Sequence, residues 1–183
     1  NELVDNYYGS NQKDTIIGNN KNNLISGLDG DDTITGGAGN DILDGGLGND
    51  TYLFNRGDGE DIIIETDSGE QYIDKVIFGP DITSDDILFN KIDNDLVISI
   101  INTNDKLIIK NSNINNSNRI EQFIFEDGTI IETSELYKPT YDTIIGGEGN
   151  DTYVFNRGDG EDTIIETGST YSYIDKLSFG TGI

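Results

Sequence analysis

The sequence lacks the side chains on which most enzymes and transition-metal sites depend. It has no Cys, His, Met or Trp, which excludes disulfides, thiol nucleophiles, Ser/His/Asp triads and Cys or His zinc sites. Proline is scarce, at 2 residues, and so is positive charge, with 11 Lys and Arg. No run of 18 apolar residues exists, so a membrane-spanning helix is not expected. We therefore predict that the chain is not an enzyme.

An acidic surplus dominates the residues that are present. The 183 residues include 35 Asp and Glu, which gives a formal net charge of −24 at pH 7, and only 33% of them are hydrophobic. A chain of this composition repels itself open unless a cation neutralises it. The same charge repels phosphate backbones and anionic lipid, so nucleic acid is excluded as a partner. The 23 Gly suit regularly spaced tight turns.

A nine-residue repeat runs from Gly9 to Leu53. The successive units are GSNQKDTII, GNNKNNLIS, GLDGDDTIT, GGAGNDILD and GGLGNDTYL. The last two fit the pattern GGxGxDxUx, in which U is a large apolar residue, and the third unit nearly fits it. The glycines predict a turn, and the triplet xUx predicts a short strand.

A larger repeat has a period of 101 residues. Residues 45–82 align without gaps to residues 146–183, with 27 identities in 38 positions, including GGEGNDTYV and a second FNRGDGED element. Between the copies, short apolar runs alternate with Asn, Asp and Gly turns, which predicts strands. We predict three parts: a first repeat segment at 1–64, a β-rich region at 65–136, and a truncated copy of 36–82 at 137–183. The sequence leaves open whether 65–136 continues the repeat structure or forms a separate cap. Since the chain begins without Met and stops in mid-pattern, we interpret it as a segment of a longer protein.

The aspartates at position six of the repeat predict a metal site. Strands 18 residues apart stack in one sheet, roughly 4.8 Å apart, and the position-six carboxylates stack with them. Two unit charges at that distance repel by about 1 kcal/mol in water and about 3.5 kcal/mol at an effective dielectric constant of about 20. A divalent cation between the turns converts this repulsion between carboxylates into a net attraction. An oxygen-only, flexible shell favours Ca²⁺ over Mg²⁺. The alternative is that Asp and Asn serve only as turn formers.

The units GLDGDDTIT, GGAGNDILD, GGLGNDTYL and GGEGNDTYV, with the two FNRGDGED elements, resemble the calcium-binding repeats of the RTX family of secreted bacterial proteins. The stretch from DILFNKIDNDLVISI to IEQFIFEDGTIIETSEL is similar to the hemolysin-type calcium-binding related domain. The resemblance implies an all-β fold, a right-handed parallel β-roll of calcium-stacked turns flanking a β-rich region. It also implies several Ca²⁺ ions and export by type I secretion to the extracellular space.

The resemblance also implies which residues hold the ions, each ion lying between turns 18 residues apart. One site would use Leu28, Gly30 and Asp32 with Gly45, Leu47 and Asp50. A second would use Gly37, Gly39 and Asp41 with Arg56, Asp58 and Asp61. A third would use Asp14 with Gly27, Asp29 and Asp32, and a weaker fourth would join Asn23 to Gly36, Ala38 and Asp41. In the second copy the candidates are Asp142, Gly147, Gly149, Asp151, Arg157, Asp159 and Asp162.

The leading functional hypothesis is a non-enzymatic, calcium-binding segment of a secreted toxin, adhesin or exoenzyme that folds on extracellular calcium. Its partners would be calcium and the type I secretion machinery. The alternative is an extracellular adhesion module whose 65–136 region binds a host surface or glycan. A hydrolase is the least favoured alternative, because no nucleophile and base pair is evident. We interpret Arg56 and Arg157, within RGD tripeptides, as turn residues instead of receptor-binding motifs.

Overall fold

The protein is a parallel β-solenoid built from short strands. The structure, a computed structural model, describes residues 4–65, 72–112, 118–136, 143–146, 148–155, 163–165 and 174–179. These residues divide into two compact units, one up to Leu136 and one from Tyr137 onward. The predicted all-β parallel roll is confirmed.

The first sheet of the first unit has seven strands in the order β1-β3-β5-β7-β11-β10-β9. The strands are β1 (Asp5–Tyr8), β3 (Asn23–Asp29), β5 (Ile42–Leu47), β7 (Glu60–Ile63), β9 (Ile87–Ile92), β10 (Asp95–Ile100) and β11 (Lys106–Ile109). The pairs from β1 to β11 are parallel, whereas β10 runs antiparallel to both β11 and β9. The sheet therefore begins as a roll and ends in an antiparallel meander.

The second sheet has six strands in the order β13-β12-β8-β6-β4-β2. The strands are β2 (Thr15–Ile17), β4 (Thr33–Thr35), β6 (Thr51–Phe54), β8 (Lys75–Phe78), β12 (Gln122–Ile124) and β13 (Ile130–Glu132). Only the β12–β13 pair is antiparallel. Strands from the 65–136 region therefore continue both sheets of the repeat segment, which answers the question that the sequence left open.

The core lies between the two sheets and is filled by position eight of each repeat. Ile16, Ile25, Ile34, Leu43 and Tyr52 are all buried, as the pattern predicts. Because successive side chains of a strand point to opposite faces, one apolar residue per triplet suffices to line the interior. Beyond the repeats the core widens into a cluster of aromatic rings. Its members are Phe54, Phe78, Phe89, Phe123 and Phe125.

Single helical turns occur in the described part of the first unit. A 3-10 turn spans Ser84–Asp86, and α1 spans Thr133–Leu136. The backbone N–H and the hydroxyl of Thr83 both donate to the Asp86 carboxylate, at 2.9 Å each, which fixes the start of the 3-10 turn. Among the described residues, no helix has the length and apolar character needed to cross a bilayer.

The described residues of the second unit form two small parallel sheets. Strands β14 (Thr143–Ile145) and β16 (Thr163–Ile165) pair in one sheet, and β15 (Thr152–Phe155) and β17 (Lys176–Phe179) pair in the other. The β15–β17 register, with Thr152 opposite Lys176, repeats the β6–β8 register of Thr51 opposite Lys75. The internal duplication in the sequence is therefore a duplication of strand pairing.

Candidate metal centre

The parallel register stacks the position-six side chains into two columns, one at each turn side of the roll. Column A contains Asp14, Asp32, Asp50, Asp74 and Glu121, and column B contains Asn23, Asp41 and Asp61. Each column forms because its members lie immediately before a strand or within its first two residues, and those strands are neighbours in one sheet. The carboxylates are thereby held one strand spacing apart.

A ladder of hydrogen bonds connects the members of each column. In every step, the backbone N–H of one member donates to one carboxylate oxygen of the next. The bonds measure 2.8 Å from Asp14 to Asp32, 2.8 Å from Asp32 to Asp50, 2.7 Å from Asp50 to Asp74, 2.8 Å from Asp74 to Glu121, 2.7 Å from Asn23 to Asp41 and 2.9 Å from Asp41 to Asp61. One carboxylate oxygen of each acceptor is thus used by the fold, and for Asp32 and Asp41 the other is left over among the described residues.

The left-over oxygens of Asp32 and Asp41 are the clearest sign of a ligand. Both side chains are 1% exposed, and within the described parts of the chain Oδ2 of each accepts no hydrogen bond. None of the ion pairs found there involves either residue, since Lys21, Arg56, Lys106 and Lys110 pair elsewhere. A buried carboxylate oxygen without a partner is costly unless a cation binds it.

The same burial raises the pKa values of three column carboxylates. Burial is the main cause for Asp32, Asp41 and Asp61, and neighbouring carboxylates add to it. The pKa of Asp61 rises to about 8. The metal-free fold therefore disfavours the ionised form, which is the form that binds a metal ion.

The glycines of the repeat allow adjacent turns to approach closely. At position one, a Cβ on Gly27 would lie 2.2 Å from Oδ2 of Asp32, so only hydrogen fits beside the carboxylate. At position two, Gly46 has φ +98, and a Cβ there would meet the Leu28 carbonyl oxygen at 1.8 Å. A Cβ on Gly48 would likewise lie 2.1 Å from the Gly30 carbonyl oxygen. The carbonyl oxygens of one turn thus face the next turn, beside the carboxylates.

The first two predicted sites correspond to turns that the structure brings together. Leu28 lies opposite Gly46 and Asp29 opposite Leu47, and the Gly30 N–H donates to the Leu47 carbonyl at 2.7 Å. Leu28 itself has φ +78, the left-handed region that glycine occupies at this position in the next two turns. The Leu28, Gly30 and Asp32 turn therefore faces the Gly45, Leu47 and Asp50 turn.

Column B repeats this geometry with a longer second turn. Gly39 bridges to Gly59, and its N–H donates to the Asp58 carbonyl at 2.9 Å. Asp41 and Asp61 are 20 residues apart, not 18, because the FNRGDGED turn is longer. The turn of Gly37, Gly39 and Asp41 therefore faces the turn of Arg56, Asp58 and Asp61. The Arg56 guanidinium points elsewhere, donating to the Asp81 carbonyl at 2.9 Å and pairing with Asp86 at 3.1 Å.

In the third and fourth predicted sites, some of the candidate ligand oxygens already accept hydrogen bonds from the protein. Oδ2 of Asp14 already accepts hydrogen bonds from the Ser10 N–H and hydroxyl, at 2.6 and 2.8 Å. Asn23 replaces the carboxylate in column B, and its Oδ1 accepts the Asn19 N–H at 2.8 Å. Their opposing turns are adjacent, through Gly27, Asp29 and Asp32 and through Gly36, Ala38 and Asp41 respectively. The first members of the two columns, at the N-terminal end of the roll, thus have fewer available oxygens than Asp32 and Asp41.

In the second unit, the structure tests only part of the predicted set. Gly149 has φ +133, and the Asp151 N–H donates to Oδ1 of Asp175 at 3.0 Å. This contact repeats the Asp50–Asp74 step 101 residues earlier, so Asp151 has a partner turn within the chain. Asp142, Gly147, Arg157, Asp159 and Asp162 lie outside the described residues.

Sequence reasoning missed a buried cluster at the junction of the repeats and the 65–136 region. Asp50, Glu65 and Asp74 are all buried, and each offers a carboxylate oxygen within 4.8 Å of the others. The Tyr52 hydroxyl donates to Glu65 and accepts the Gly45 N–H, so the cluster also contacts the first glycine of a repeat. The sequence YIDKVI contained the signal, because Asp74-Lys75-Val76-Ile77 reads as the D-x-U-x half of a nonapeptide.

The donor set of the columns fits calcium. It consists of carboxylate and backbone carbonyl oxygens, without nitrogen or sulfur, on turns that tolerate variable geometry. Ca²⁺ takes six to eight such ligands, whereas Mg²⁺ requires a tighter octahedron and releases its water reluctantly. Calcium between facing turns would neutralise the carboxylates that burial otherwise penalises.

Comparison with known families agrees with this chemistry. The family model described as "RTX calcium-binding nonapeptide repeat (4 copies)" matches residues 8–43, 17–52 and 141–164. The model described as "Haemolysin-type calcium binding protein related domain" matches residues 95–135. No curated protein matches the chain. The protein is therefore a β-roll in which residues 8–52 and 141–164 match the RTX nonapeptide repeats and residues 95–135 match the haemolysin-type calcium-binding related domain, and repeats of this type bind Ca²⁺ at several sites.

Proposed function

We propose that this chain is a calcium-gated folding segment of a secreted protein. The observation that carries the proposal is the pair of stacked carboxylate columns, in which Asp32 and Asp41 each leave a buried oxygen without a partner in the described residues. Without a cation these columns oppose folding, and with calcium they favour it. Calcium binding and folding are then one equilibrium.

The free energy contributed by bound calcium is large enough to switch the chain between unfolded and folded states. A calcium concentration tenfold above the dissociation constant stabilises the fold by about 1.4 kcal/mol per site. Three or four sites together would contribute about 4 to 6 kcal/mol, a sum comparable to the 5–15 kcal/mol by which domains of this kind are stable. Extracellular calcium modules bind with dissociation constants of about 10⁻⁴ to 10⁻³ M. The segment would therefore be unfolded in a low-calcium cytosol and folded outside the cell.

The proposed ligands are those of the facing turns. Leu28, Gly30 and Asp32 with Gly45, Leu47 and Asp50 form the main site of column A. Gly37, Gly39 and Asp41 with Arg56, Asp58 and Asp61 form the main site of column B, Arg56 through its carbonyl. We add Glu65 and Asp74 to the ligands at the junction, because they extend the set around Asp50.

An unfolded, acidic chain suits passage through a type I secretion channel, and the RTX repeats support that route. The nonapeptide β-roll is a structural module that is not catalytic in itself, so we propose that the segment supports a secreted toxin, exoenzyme or adhesin without turning over substrate. Turnover of a lipid, peptide or glycoside substrate by this chain alone would contradict this part of the proposal.

Limited proteolysis tests the gating directly. We expect the chain to be cleaved throughout in chelator and to resist cleavage up to about residue 136 in millimolar calcium, because folded β-structure hides its backbone from the protease. Magnesium at the same concentration is the control. Equal cleavage rates in chelator and in calcium would contradict the proposal.

The pH dependence of the metal-free fold provides a second prediction. Asp61 has a pKa of about 8 in the fold against an ordinary value of 3.8, so its ionisation destabilises the metal-free fold above about pH 4, and the penalty is complete above pH 8. We expect the chelated protein to gain β-structure as the pH falls from 8 to about 4.5, followed by circular dichroism. At saturating calcium we expect no such gain, because the ion holds the carboxylates ionised. A chelated signal that is constant or falls over this range would contradict the assignment.

An adhesion module is the alternative function. The sheet face of the 65–136 region carries exposed Leu88 and Ile92, which favours a contact surface over a purely internal role. Specific retention on a glycan array in millimolar calcium would support adhesion, with calcium as a structural ion.

A further inference from the structure

The turns of the roll normally hold one another through backbone groups. At position four, the Gly30 N–H donates to the Leu47 carbonyl of the next turn at 2.7 Å, and the Gly39 N–H donates to the Asp58 carbonyl at 2.9 Å. Each turn thus depends on the following turn to fix its left-handed glycine. The last nonapeptide-like turn needs a substitute, because no repeat follows it in the stack.

Asp105 supplies that substitute at the FNRGDGED turn. Its carboxylate accepts the Gly57 N–H at 2.9 Å on Oδ2 and the Gly59 N–H at 3.2 Å on Oδ1. Both glycines lie in the left-handed region, at φ +89 and +103. Asp105 is 7% exposed and comes from the non-repeat region, 46 residues after Gly59. The Asp105 carboxylate thus accepts glycine N–H groups that, in the earlier turns, are accepted by backbone carbonyls of the following turn.

The loop that carries Asp105 is itself anchored to the same turn. The Lys106 N–H donates to the Gly59 carbonyl at 2.8 Å, and the Asp105 N–H donates to the Thr103 hydroxyl at 3.0 Å. From the other side, Arg56 donates to the carbonyl of Asp81 and contacts that of Ile101 at 3.4 Å. The turn and the loop therefore constrain each other through at least four polar contacts.

We propose that Asp105 is a positioning residue for the column B calcium site, through which the non-repeat region controls metal binding. Because both of its oxygens accept backbone N–H groups, Asp105 acts on the ion through the turn and not as a ligand. It fixes the two glycines that flank Asp58, whose carbonyl faces Gly39 in the preceding turn. The proposal rests on the calcium-binding function and assigns it a control that lies outside the repeats.

The consequence is a thermodynamic coupling between calcium binding by the nonapeptide repeats and docking of the non-repeat region. When the 101–105 loop is docked, the column B turn is preorganised and binds calcium more tightly. By reciprocity, calcium in that turn favours docking of the loop. Folding is thus expected to pass from the repeats into the region of residues 72–136 at this point.

A double-mutant cycle separates this role from a general structural one. In the full chain, Asp105→Asn keeps the shape and one acceptor oxygen but weakens two charge-assisted bonds. We expect it to raise the calcium concentration at the folding midpoint about threefold or more, measured by circular dichroism. In an Asp41→Asn background, where the column B site is already impaired, the same change should have less than about half of that effect. In an Asp32→Asn background it should act in full, because that site belongs to column A.

The control is Asp127→Asn, which removes the charge of a different loop aspartate whose Oδ1 accepts the Thr129 N–H at 2.8 Å. We expect it to leave the calcium midpoint unchanged. An equal effect of Asp105→Asn in both backgrounds, or none at all, would overturn the proposal. If Asp105→Asn does not fold at any calcium concentration, Asp105→Glu takes its place in the same cycle. A wild-type chain without any calcium-dependent transition would instead contradict the proposed function, so the two failures are distinguishable.

Discussion

Replacing Asp32 by Asn is expected to raise the calcium concentration needed for folding about tenfold or more, equivalent to about 1.4 kcal/mol or more. Asn retains an oxygen that accepts the Asp14 N–H, so the ladder persists. What disappears is the negative charge of a buried carboxylate whose Oδ2 has no hydrogen-bond partner among the described residues. In chelator the sign reverses, because the substitution relieves burial of charge and repulsion from Asp14. The calcium midpoint and the stability in chelator are both measurable by circular dichroism.

Asp31→Asn is the matched control for that substitution. It removes the same charge from the adjacent residue of the same turn, but Asp31 is exposed and its carboxylate already accepts two bonds from Asn49, at 2.9 and 3.0 Å. Its effect on the calcium midpoint should be below about twofold, as for other surface substitutions. Equal shifts for Asp31→Asn and Asp32→Asn would show that bulk charge, and not the column, governs the response.

Replacing Gly46 by Ala is expected to destabilise the calcium-loaded fold by more than about 3 kcal/mol, or to prevent folding. The residue has φ +98, and its Cβ would lie 1.8 Å from the carbonyl oxygen of Leu28 and 2.7 Å from the carbonyl carbon. Both atoms are backbone, so relief requires the two turns to separate, which also opens the space between the proposed ligands. Denaturant unfolding at saturating calcium measures the loss.

Gly128→Ala separates the steric effect from the conformational one. Gly128 also has positive φ, at +85, but a Cβ there meets nothing within 4 Å. We expect a loss of about 1 to 2 kcal/mol, which is the ordinary cost of placing a Cβ in the left-handed region. Equal losses at Gly46 and Gly128 would mean that close approach of the turns contributes nothing to stability.

The regular part of the fold was predictable because the nine-residue period determines strand, turn and register together. Position eight predicted the buried residues from Ile16 to Tyr52, and position six predicted the stacked carboxylates of Asp14, Asp32, Asp41 and Asp50. Both predictions require only that strands stack at a constant interval. The confirmed β-roll follows from the same periodicity.

The irregular part was not predictable from spacing. Asp50 and Asp74 are 24 residues apart, and Asp74 and Glu121 are 47 apart, because loops of variable length separate strands that still pair in register. The period is lost in the sequence, although the stack continues in space. Asp105 was missed for a related reason, since its role depends on a contact with Gly57 and Gly59 that no local pattern encodes.

The most direct test of the central claim is a calcium titration of the chelated wild-type chain, followed by far-UV circular dichroism and sedimentation velocity, with magnesium in parallel. Calcium-driven folding predicts an expanded chain in chelator that becomes compact and β-rich at about 10⁻⁴ to 10⁻³ M calcium, with no such transition in magnesium. A chelated chain that is already compact and β-rich at neutral pH would contradict the claim, because the stacked carboxylates would then be tolerated without a metal ion.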